Sequence, residues 1–376
     1  MEDSLLKERI IEHRRNLHRI PELDFELQET RSYLLGILQN LNCEIKDLGK
    51  AGFTAFFKAA LPNIQNTIAF RADMDAIPVE EALVSEYKSI YEGKMHACGH
   101  DGHMSILLGL AMWANDNLDK MHSNCLLVFQ AAEETTGGAK IICETGVLDE
   151  YKVSKIFGIH IWPGYTKNAL VCRKKEFMAG TFVVDINISG KAAHIAEYEK
   201  GIDTLVSGCK FVERAYALER DLSPEVYRLL RFGAFKCGQK DNIVADKAFI
   251  TGVMRAYDNE TFDYLWEGMQ KISEDIESET GATFSITRSD GYPPLINPEE
   301  LYEETKAIAL DAGFELIELD SPLLTAEDFS EYQHVVPGLY MHLATGKDCK
   351  LHANDYDIDE DVLLTGVHLF RTLLIN

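Results

Sequence analysis

The chain has 376 residues, of which 46% are hydrophobic and 26% are charged, and its formal net charge is −24. Such a composition supports one large or two ordinary hydrophobic cores and excludes disorder on a large scale. The acidic excess argues against nucleic acid or an anionic membrane as a partner, because both would be repelled.

The eight cysteines are scattered and include no Cys-x-x-Cys pair, which is typical of reduced thiols in an intracellular protein. The N-terminal sequence lacks the apolar core of a secretory signal, and no run of about 18 apolar residues occurs. We therefore expect a cytoplasmic protein without a membrane span.

The first part of the chain predicts alternating helices and buried strands. Residues 1–40 show helical spacing interrupted at Pro21, with the apolar stripe formed by Leu6, Ile10, His13, Leu17 and Ile20. Apolar strands are predicted in TAFFKAAL, NTIAFRADMDA, NCLLVFQAAEE and VSKIFGIHIWP, and a helix in HMSILLGLAMWAND. This alternation indicates a layered α/β domain with a mixed, largely parallel sheet.

Near residue 178 the pattern changes to half-exposed strands and two amphipathic helices. Their order, strand–helix–strand–strand–helix–strand, is that of an α+β ferredoxin-like unit. We predict that this unit occupies 178–292 and is inserted into an α/β domain formed by 1–177 and 293–376.

The segment MHACGHDGH is rich in residue types that bind metals. Cys98 and His100 are two residues apart, so in an extended segment they would face the same side and could share one ion. Asp101 could orient an imidazole, and His96 and His103 are further candidates. A glycine turn with histidines present by chance is the alternative, but three histidines, a cysteine and an aspartate within nine residues favour a metal site.

A closed structural zinc site is a second alternative for this segment. It would require four ligands, commonly from Cys-x-x-Cys pairs, and the sequence has no such pair. A mixed sphere of cysteine, histidine and glutamate fits an open catalytic site better.

Glu133 and Glu134 follow a predicted apolar strand. Adjacent carboxylates repel each other, and a nearby cation would relieve the cost of burying them. One glutamate could bind a metal while the other takes a proton from a water; a solvated acidic pair at the start of a loop is the alternative. Their place at the carboxyl end of a strand favours a functional site.

Three further positions could contribute to the same edge of the sheet. His160 ends another buried strand, although a single histidine there is more often a core residue. His352 lies in a polar, loop-like segment and could be a surface histidine. Asp73 and Asp75 end a strand and could hydrogen-bond a ligand or contact a metal, with turn formation before Pro78 as the alternative.

Six segments together resemble the amidohydrolase branch of the di-metal aminopeptidase/carboxypeptidase clan: RADMDAIPVEE, MHACGHDGHMSILLG, VFQAAEE, GIHIWP, AEDFSEY and LHANDYDIDED. That branch contains hippurate hydrolases, aminoacylases, indole-acetyl-amino-acid hydrolases and N-acetyldiaminopimelate deacetylases. The resemblance extends from RRNLHRIPEL to the C-terminus, which is nearly the whole chain.

The resemblance implies a catalytic domain that holds two divalent metal ions bridged by a thiolate. It implies that Glu133 is the general base and acid and that Asp75 orients a ligand imidazole. The metal ligands that it implies are Cys98, His100, Glu134, His160 and His352.

The resemblance also implies that the inserted domain is a lid through which the protein forms a homodimer or a higher oligomer. His194 matches the family histidine that polarises the substrate carbonyl, often across the dimer. Asn242 and Arg255 match lid positions that bind the substrate carboxylate or carbonyl.

The sequence departs from the family pattern at three places. Ala132 stands where a proline usually precedes the glutamate pair, and Gly252-Val253 replaces the usual Gly-Thr before the arginine. The segment 192–199 lacks the usual glycines before the histidine and the usual proline after it. The ligands are intact, so these departures concern the choice of substrate.

We expect the enzyme to hydrolyse the amide bond of a small N-acyl amino acid, in the first place an N-acetyl amino acid, with a metal-activated water. A dipeptidase or carboxypeptidase of the same clan is one alternative. A non-catalytic metal-binding protein is another, against which Glu133 beside a complete ligand set argues. The ligand types favour zinc and leave manganese, nickel and cobalt open.

Overall fold

The structure is a computed structural model and describes residues 2–135 and 137–376. The described chain divides into two compact units. The first unit contains the described residues up to Phe177 together with Ile296–Ser321 and Asp328–Asn376. The second unit contains Met178–Leu295 and Pro322–Glu327, and the latter segment lies outside the inserted range expected from the sequence.

Up to Phe177 the first unit alternates helices and strands. Its helices in this part are α1 (Asp3–His18), α2 (Gln28–Leu38), α3 (His100–Asp116), α4 (Gly138–Glu144) and α5 (Val147–Glu150). Its strands are β1 (Glu44–Asp47), β2 (Gly52–Phe57), β3 (Thr67–Asp73), β4 (Asn124–Gln130), β5 (Val153–Trp162) and β6 (Leu170–Cys172), after which β7 (Lys175–Met178) leads into the second unit.

The second unit is a four-stranded antiparallel sheet with two helices. Its elements are β8 (Gly180–Ser189), α6 (Thr204–Asp221), β9 (Leu229–Cys237), β10 (Lys247–Ala256), α7 (Asn259–Thr280) and β11 (Thr283–Arg288). The strand order is β11-β8-β10-β9. Residues of β10 alternate between buried and partly exposed, as a sheet with one covered face requires. The order of elements confirms the predicted α+β ferredoxin-like unit.

After the second unit the chain completes the first. The remaining elements are β12 (Leu295–Asn297), α8 (Glu299–Asp311), β13 (Leu316–Glu318), α9 (Ser330–Gln333), β14 (Gly338–Ala344) and α10 (Val362–Ile375). Among the described helices of both units, none has the length and apolar character needed to cross a bilayer.

One mixed sheet orders the first unit, with the described strands arranged as β1-β2-β4-β3-β5-β14-β6-β13. The central strands β4, β3, β5 and β14 run parallel. Every residue of β3, β4 and β14 is buried, which is the pattern of parallel strands covered on both faces. The predicted α/β fold with a mixed, largely parallel sheet is confirmed, and the carboxyl ends of its central strands meet at one edge.

The long helix α3 begins at that edge and is buried along most of its length between α1 and α10. Gly109 allows this close approach. A methyl group added there would lie 2.6 Å from Val367 Cγ2 and 2.8 Å from Ile10 Cγ2. The packing at Gly109 therefore helps fix the helix that starts with His100.

We expect Gly109→Ala to lower the free energy of unfolding by about 1–3 kcal/mol, because the added methyl overpacks the contact between the helices. Gly36→Ala is the matched control, since that helical glycine has no atom within 4 Å of the added methyl. There alanine should stabilise the protein by about 0.5–1 kcal/mol through its helix propensity. Urea unfolding measures both; equal effects of the two substitutions would contradict this account of the packing.

Candidate metal centre

The five predicted ligands lie on four segments of the first unit. His100 is the first residue of α3, and Cys98 lies just before it. His160 lies near the carboxyl end of β5, and Glu134 follows β4. His352 lies in a loop between β14 and α10, with a left-handed φ of 64°. The topology therefore brings together residues that are more than 250 positions apart in the sequence.

Two groups of donor atoms share the sulfur of Cys98. One group contains Cys98, His100 and His160, and the other contains Cys98, Glu134 and His352. Within each group the donor atoms lie within 4.8 Å of one another. Cys98 Sγ is 3.4 Å from His160 Nε2, and His352 Nε2 is 3.2 Å from Glu134 Oε1. Because the Cys98 sulfur belongs to both groups, it lies within reach of the other donor atoms of each.

The imidazole rings of His100 and His160 are oriented as metal ligands require. His100 Nδ1 lies 2.8 Å from the carbonyl oxygen of Asp75, and His160 Nδ1 lies 2.8 Å from that of Ile161. Carbonyl oxygens only accept, so both Nδ1 atoms carry a hydrogen, and each Nε2 can offer a lone pair to an ion once it carries no proton. His100 Nε2 is buried and has no hydrogen-bond partner among the described residues. A metal ion would satisfy this nitrogen, so the residues present fit a bound metal.

The electrostatics of the site also favour a cation. Burial raises the pKa of the Cys98 thiol well above its ordinary value, and the charges of Glu134 and Glu133 raise it further. Burial opposes protonation of His100, but Asp73, Asp75 and Glu134 outweigh it and raise the His100 pKa to about 10. Burial of Cys98 and the acidic groups around His100 thus favour the protonated side chains, and divalent ions would replace those protons.

Asp75 contacts both His100 and the glutamate pair, but its contact with His100 is not the expected one through the carboxylate. Its backbone carbonyl, not its carboxylate, accepts the hydrogen bond from His100; the carboxylate Oδ1 is 3.8 Å from His100 Nδ1. The two carboxylate oxygens instead accept the backbone N–H groups of Glu133 and Glu134, each at 3.1 Å. Asp75 therefore positions both a ligand imidazole and the turn that presents the glutamate pair.

The turn before the glutamate pair contains a residue with a left-handed backbone conformation. Ala132 has a left-handed φ of 57°. Proline is fixed near −65° and cannot adopt this conformation. A proline at position 132 would therefore require a different turn.

His103 and Asp73 lie close to His100 but form hydrogen bonds with other parts of the protein. His103 donates to Asp73 at 2.6 Å and accepts the N–H of Ile161 at 2.8 Å, so it joins α3 to the ends of β3 and β5. The second carboxylate oxygen of Asp73 accepts from Arg71 at 2.7 Å. Although Asp73, His100 and His103 lie close enough to form a third donor group, these bonds occupy the oxygens of Asp73 and both nitrogens of His103.

An aromatic stack lies beside the ligand His160. The ring of His342, which pairs with His160 across β14 and β5, lies parallel to Trp162 with centroids 3.9 Å apart. Burial lowers the pKa of His342 to about 3, so this imidazole is neutral. The stack closes one side of the His160 ring, which also contacts Trp162 edge-on at 5.4 Å.

Within the second unit, two of the three predicted substrate residues lie on hydrogen-bonded segments. The backbone N–H of Ile195 donates to Asn242 O at 3.0 Å, and His194 forms a bridge with Ile243. His194 Nδ1 accepts the N–H of Ala196 at 3.2 Å, which leaves Nε2 as the protonated nitrogen.

Arg255, the third of these residues, lies on β10. Its NH1 donates to the carbonyl oxygen of Leu324, and its Nε is buried without a hydrogen-bond partner. Burial lowers the Arg255 pKa from its ordinary value, and no carboxylate among the described residues forms an ion pair with it. An unpaired guanidinium of this kind is suited to bind an anion.

Behind the site lies a buried cluster that was not predicted from the sequence. Asp101 does not orient a metal ligand; it accepts from Arg14 at 2.8 Å and from His18 at 2.7 Å. The buried face of α1 includes Arg14 and His18, whereas His13, which was assigned to the apolar stripe, is only partly buried. An arginine four residues after Ile10, on the stripe of Leu6 and Ile10, is the signal that could have found this cluster.

Known proteins resemble this chain over almost its full length. The profile of Peptidase family M20/M25/M40 matches residues 69–376. An uncharacterized hydrolase of Staphylococcus epidermidis is 31% identical over 374 residues, which cover 97% of this chain and 97% of that protein.

Two crystal structures extend this comparison. A putative aminohydrolase from methicillin-resistant Staphylococcus aureus has a TM-score of 0.91 at 27% identity, covering 100% of this chain and 98% of that one. A dinuclear metal binding peptidase of the M20 family from Bacillus subtilis has a TM-score of 0.85 at 27% identity, covering 99% and 98%. The chain therefore belongs to Peptidase family M20/M25/M40 and is a metal-dependent hydrolase of that family.

Proposed function

We propose that the protein hydrolyses the amide bond of an N-acyl amino acid, in the first place an N-acetyl amino acid. The observation that carries the proposal is the position of Glu133. Its carboxylate belongs to a donor group with His100 and Glu134, within 4.8 Å of both, and it lies beside the two groups that share Cys98. A second carboxylate next to a complete ligand set is suited to move protons rather than to bind a metal.

Cys98, His100, Glu134, His160 and His352 would hold two divalent ions, of which zinc suits these ligands best. When bound, such ions lower the pKa of a water and polarise an amide carbonyl. Glu133 takes a proton from the attacking water and returns it to the nitrogen of the leaving amino acid. The water oxygen stays with the acyl group, so the products are a carboxylate and a free amino acid.

The proposal assigns separate roles to the residues of the second unit. His194 donates from Nε2 to the carbonyl oxygen of the substrate, from this chain or from a partner copy in a homodimer. Arg255 binds the carboxylate of the amino acid, and Asn242 contacts the carboxylate or the carbonyl. The guanidinium of Arg255, which has no acidic partner among the described residues, supports a substrate that carries a carboxylate.

The first test compares substrates and metals. We expect metal-loaded protein to release free amine from a panel of N-acetyl amino acids, including N-acetyldiaminopimelate, more rapidly than from matched dipeptides. A chelator should abolish release, and adding back zinc, manganese, cobalt or nickel separately should restore it and identify the most active metal. Release mainly from dipeptides would make the protein a peptidase, and release that resists complete metal removal would refute the metal centre.

Replacing Arg255 tests the recognition of a carboxylate. We expect Arg255→Gln to lower kcat/KM for an N-acetyl amino acid by about 10- to 100-fold, because a charge-assisted hydrogen bond is lost. Arg231→Gln is the matched control, since Arg231 already pairs with Glu219 at 2.6 Å.

The same measurement on the carboxamide of the substrate separates binding of the carboxylate from folding. The carboxamide lacks the negative charge, so wild type and Arg255→Gln should hydrolyse it at similar rates. An equal loss on both compounds would show that Arg255 supports the structure of the second unit instead.

A further inference from the structure

Arg14 of α1 is a fully buried cation that contacts three acids from distant parts of the first unit. Its Nε donates to Asp101 at 2.8 Å, its NH2 to Asp357 at 3.0 Å and its NH1 to Glu360 at 3.3 Å. We call Arg14, His18, Asp101, Asp357 and Glu360 the Arg14 cluster. The cluster joins α1, the start of α3 and the loop that contains His352.

On one side the cluster fixes the segment of His100. Asp101 Oδ2 also accepts from His18 Nδ1 at 2.7 Å, and Asp101 Oδ1 accepts the backbone N–H of Gly102 at 2.9 Å. Asp101 follows His100 directly at the start of α3. This ligand therefore has the support of a helix and of several hydrogen bonds.

On the other side the cluster reaches the loop that carries the partly exposed side chain of His352. Residues 346–361 contain no helix or strand, and the side chain of His352 is 52% exposed. The N–H of His352 donates to Ala97 O at 2.8 Å. The loop is also anchored at Asn354, whose carbonyl oxygen accepts the N–H of Ala82 at 2.8 Å, and at the fully buried Tyr356. The ion pairs of Asp357 and Glu360 with Arg14 add charged contacts between the loop and the interior.

We propose that Arg14 is a positioning residue that sets the metal affinity of the group formed by Cys98, Glu134 and His352. The inference rests on the metal centre of the proposed function. Without the guanidinium, Asp101 and Asp357 would lie close together with reduced compensation of their charges, and the part of the loop around Asp357 would shift and displace His352. Because His100 and His160 lie on α3 and β5, the group that they form with Cys98 depends less on this contact.

The test is a titration of chelator-treated protein with Zn²⁺ against a competing indicator. Wild type should bind two ions. Arg14→Gln should bind one ion almost as tightly as wild type and the other about 10- to 100-fold more weakly, the loss typical for partners of metal ligands. Arg15→Gln is the matched control: Arg15 pairs with Glu360 at 2.6 Å but is half exposed and contacts neither Asp101 nor Asp357.

A double variant assigns the loss to His352. His352→Ala alone should also weaken one ion, and adding Arg14→Gln should cause little further loss, because both changes remove the same interaction. If Arg14→Gln does not fold, Asp357→Asn tests the same contact from the partly exposed side of the cluster and should give the same split of affinities.

The outcomes separate this inference from the metal centre itself. Two ions bound by Arg14→Gln with wild-type affinities, or both weakened equally, would overturn the positioning role and leave the proposed function intact. Fully additive losses in the double variant would overturn it as well. A wild-type protein that binds no Zn²⁺ would overturn the metal centre and this inference with it.

Discussion

Replacing Glu133 with glutamine is expected to lower kcat by about 10²–10⁴-fold while both metal ions stay bound. Glutamine keeps the size of the side chain but can neither take a proton from water nor return it to the leaving amine. The backbone N–H of residue 133 still donates to Asp75, so the turn should be preserved. Metal content and kcat, measured on the same preparation, check this directly.

Glu144→Gln is the control for this change, because that glutamate is exposed at the end of α4. It should leave both kcat and metal content unaltered. Activity retained by Glu133→Gln would refute the assignment of the base. Loss of a metal ion from the same variant would instead show that Glu133 is a ligand.

Removing Cys98 should have the second large effect, on metal binding rather than on proton transfer. Cys98→Ala deletes the one donor shared by both groups, so we expect the affinity for at least one ion to fall by more than about 100-fold, the upper range for changes outside the ligands. The stabilisation by added metal, seen as a rise in unfolding temperature, should shrink accordingly. In the cobalt-loaded protein the thiolate-to-metal absorption band should disappear.

Cys125→Ala is the matched control, since Cys125 is a fully buried thiol of β4 outside the donor groups. It should keep the cobalt absorption band and both ions. An alternative role for Cys98 is that of a nucleophile. This role is excluded if the Cys98 sulfur binds a metal ion. A covalent acyl intermediate trapped on metal-free wild-type protein would contradict the proposed role.

The fold could be predicted from the sequence because the spacing of apolar residues in each main segment is typical of either a helix or a strand, and not of both. The strands β3, β4 and β14 are short apolar runs buried at every residue, and α3 is apolar around its circumference. The second unit shows the alternation of half-buried strands. The return of 322–327 to that unit has no such signal, since these residues form no helix or strand and their membership depends on contacts distant in sequence.

The site was predictable where chemistry is concentrated in short segments, as in MHACGHDGH and the adjacent glutamates. It was not predictable where one residue acts through both its backbone and its side chain. The carboxylate of Asp75 binds backbone N–H groups 58 and 59 residues away, and backbone donors leave no mark on the residue type. The burial of Arg14 was not predicted, because the apolar stripe assigned to the first helix included His13. That assignment shifts the predicted buried face of the helix by one residue.

Beside His160, a predicted ligand, Trp162 contacts the imidazole ring edge-on and stacks on the neutral imidazole of His342. Indole emission responds to charge placed close to the ring and to changes in the rings that it touches. An ion bound at His160 Nε2 would place positive charge within this group of aromatic rings. Trp162 would therefore act as an optical reporter of metal binding at His160, and this reporter would need neither label nor substrate.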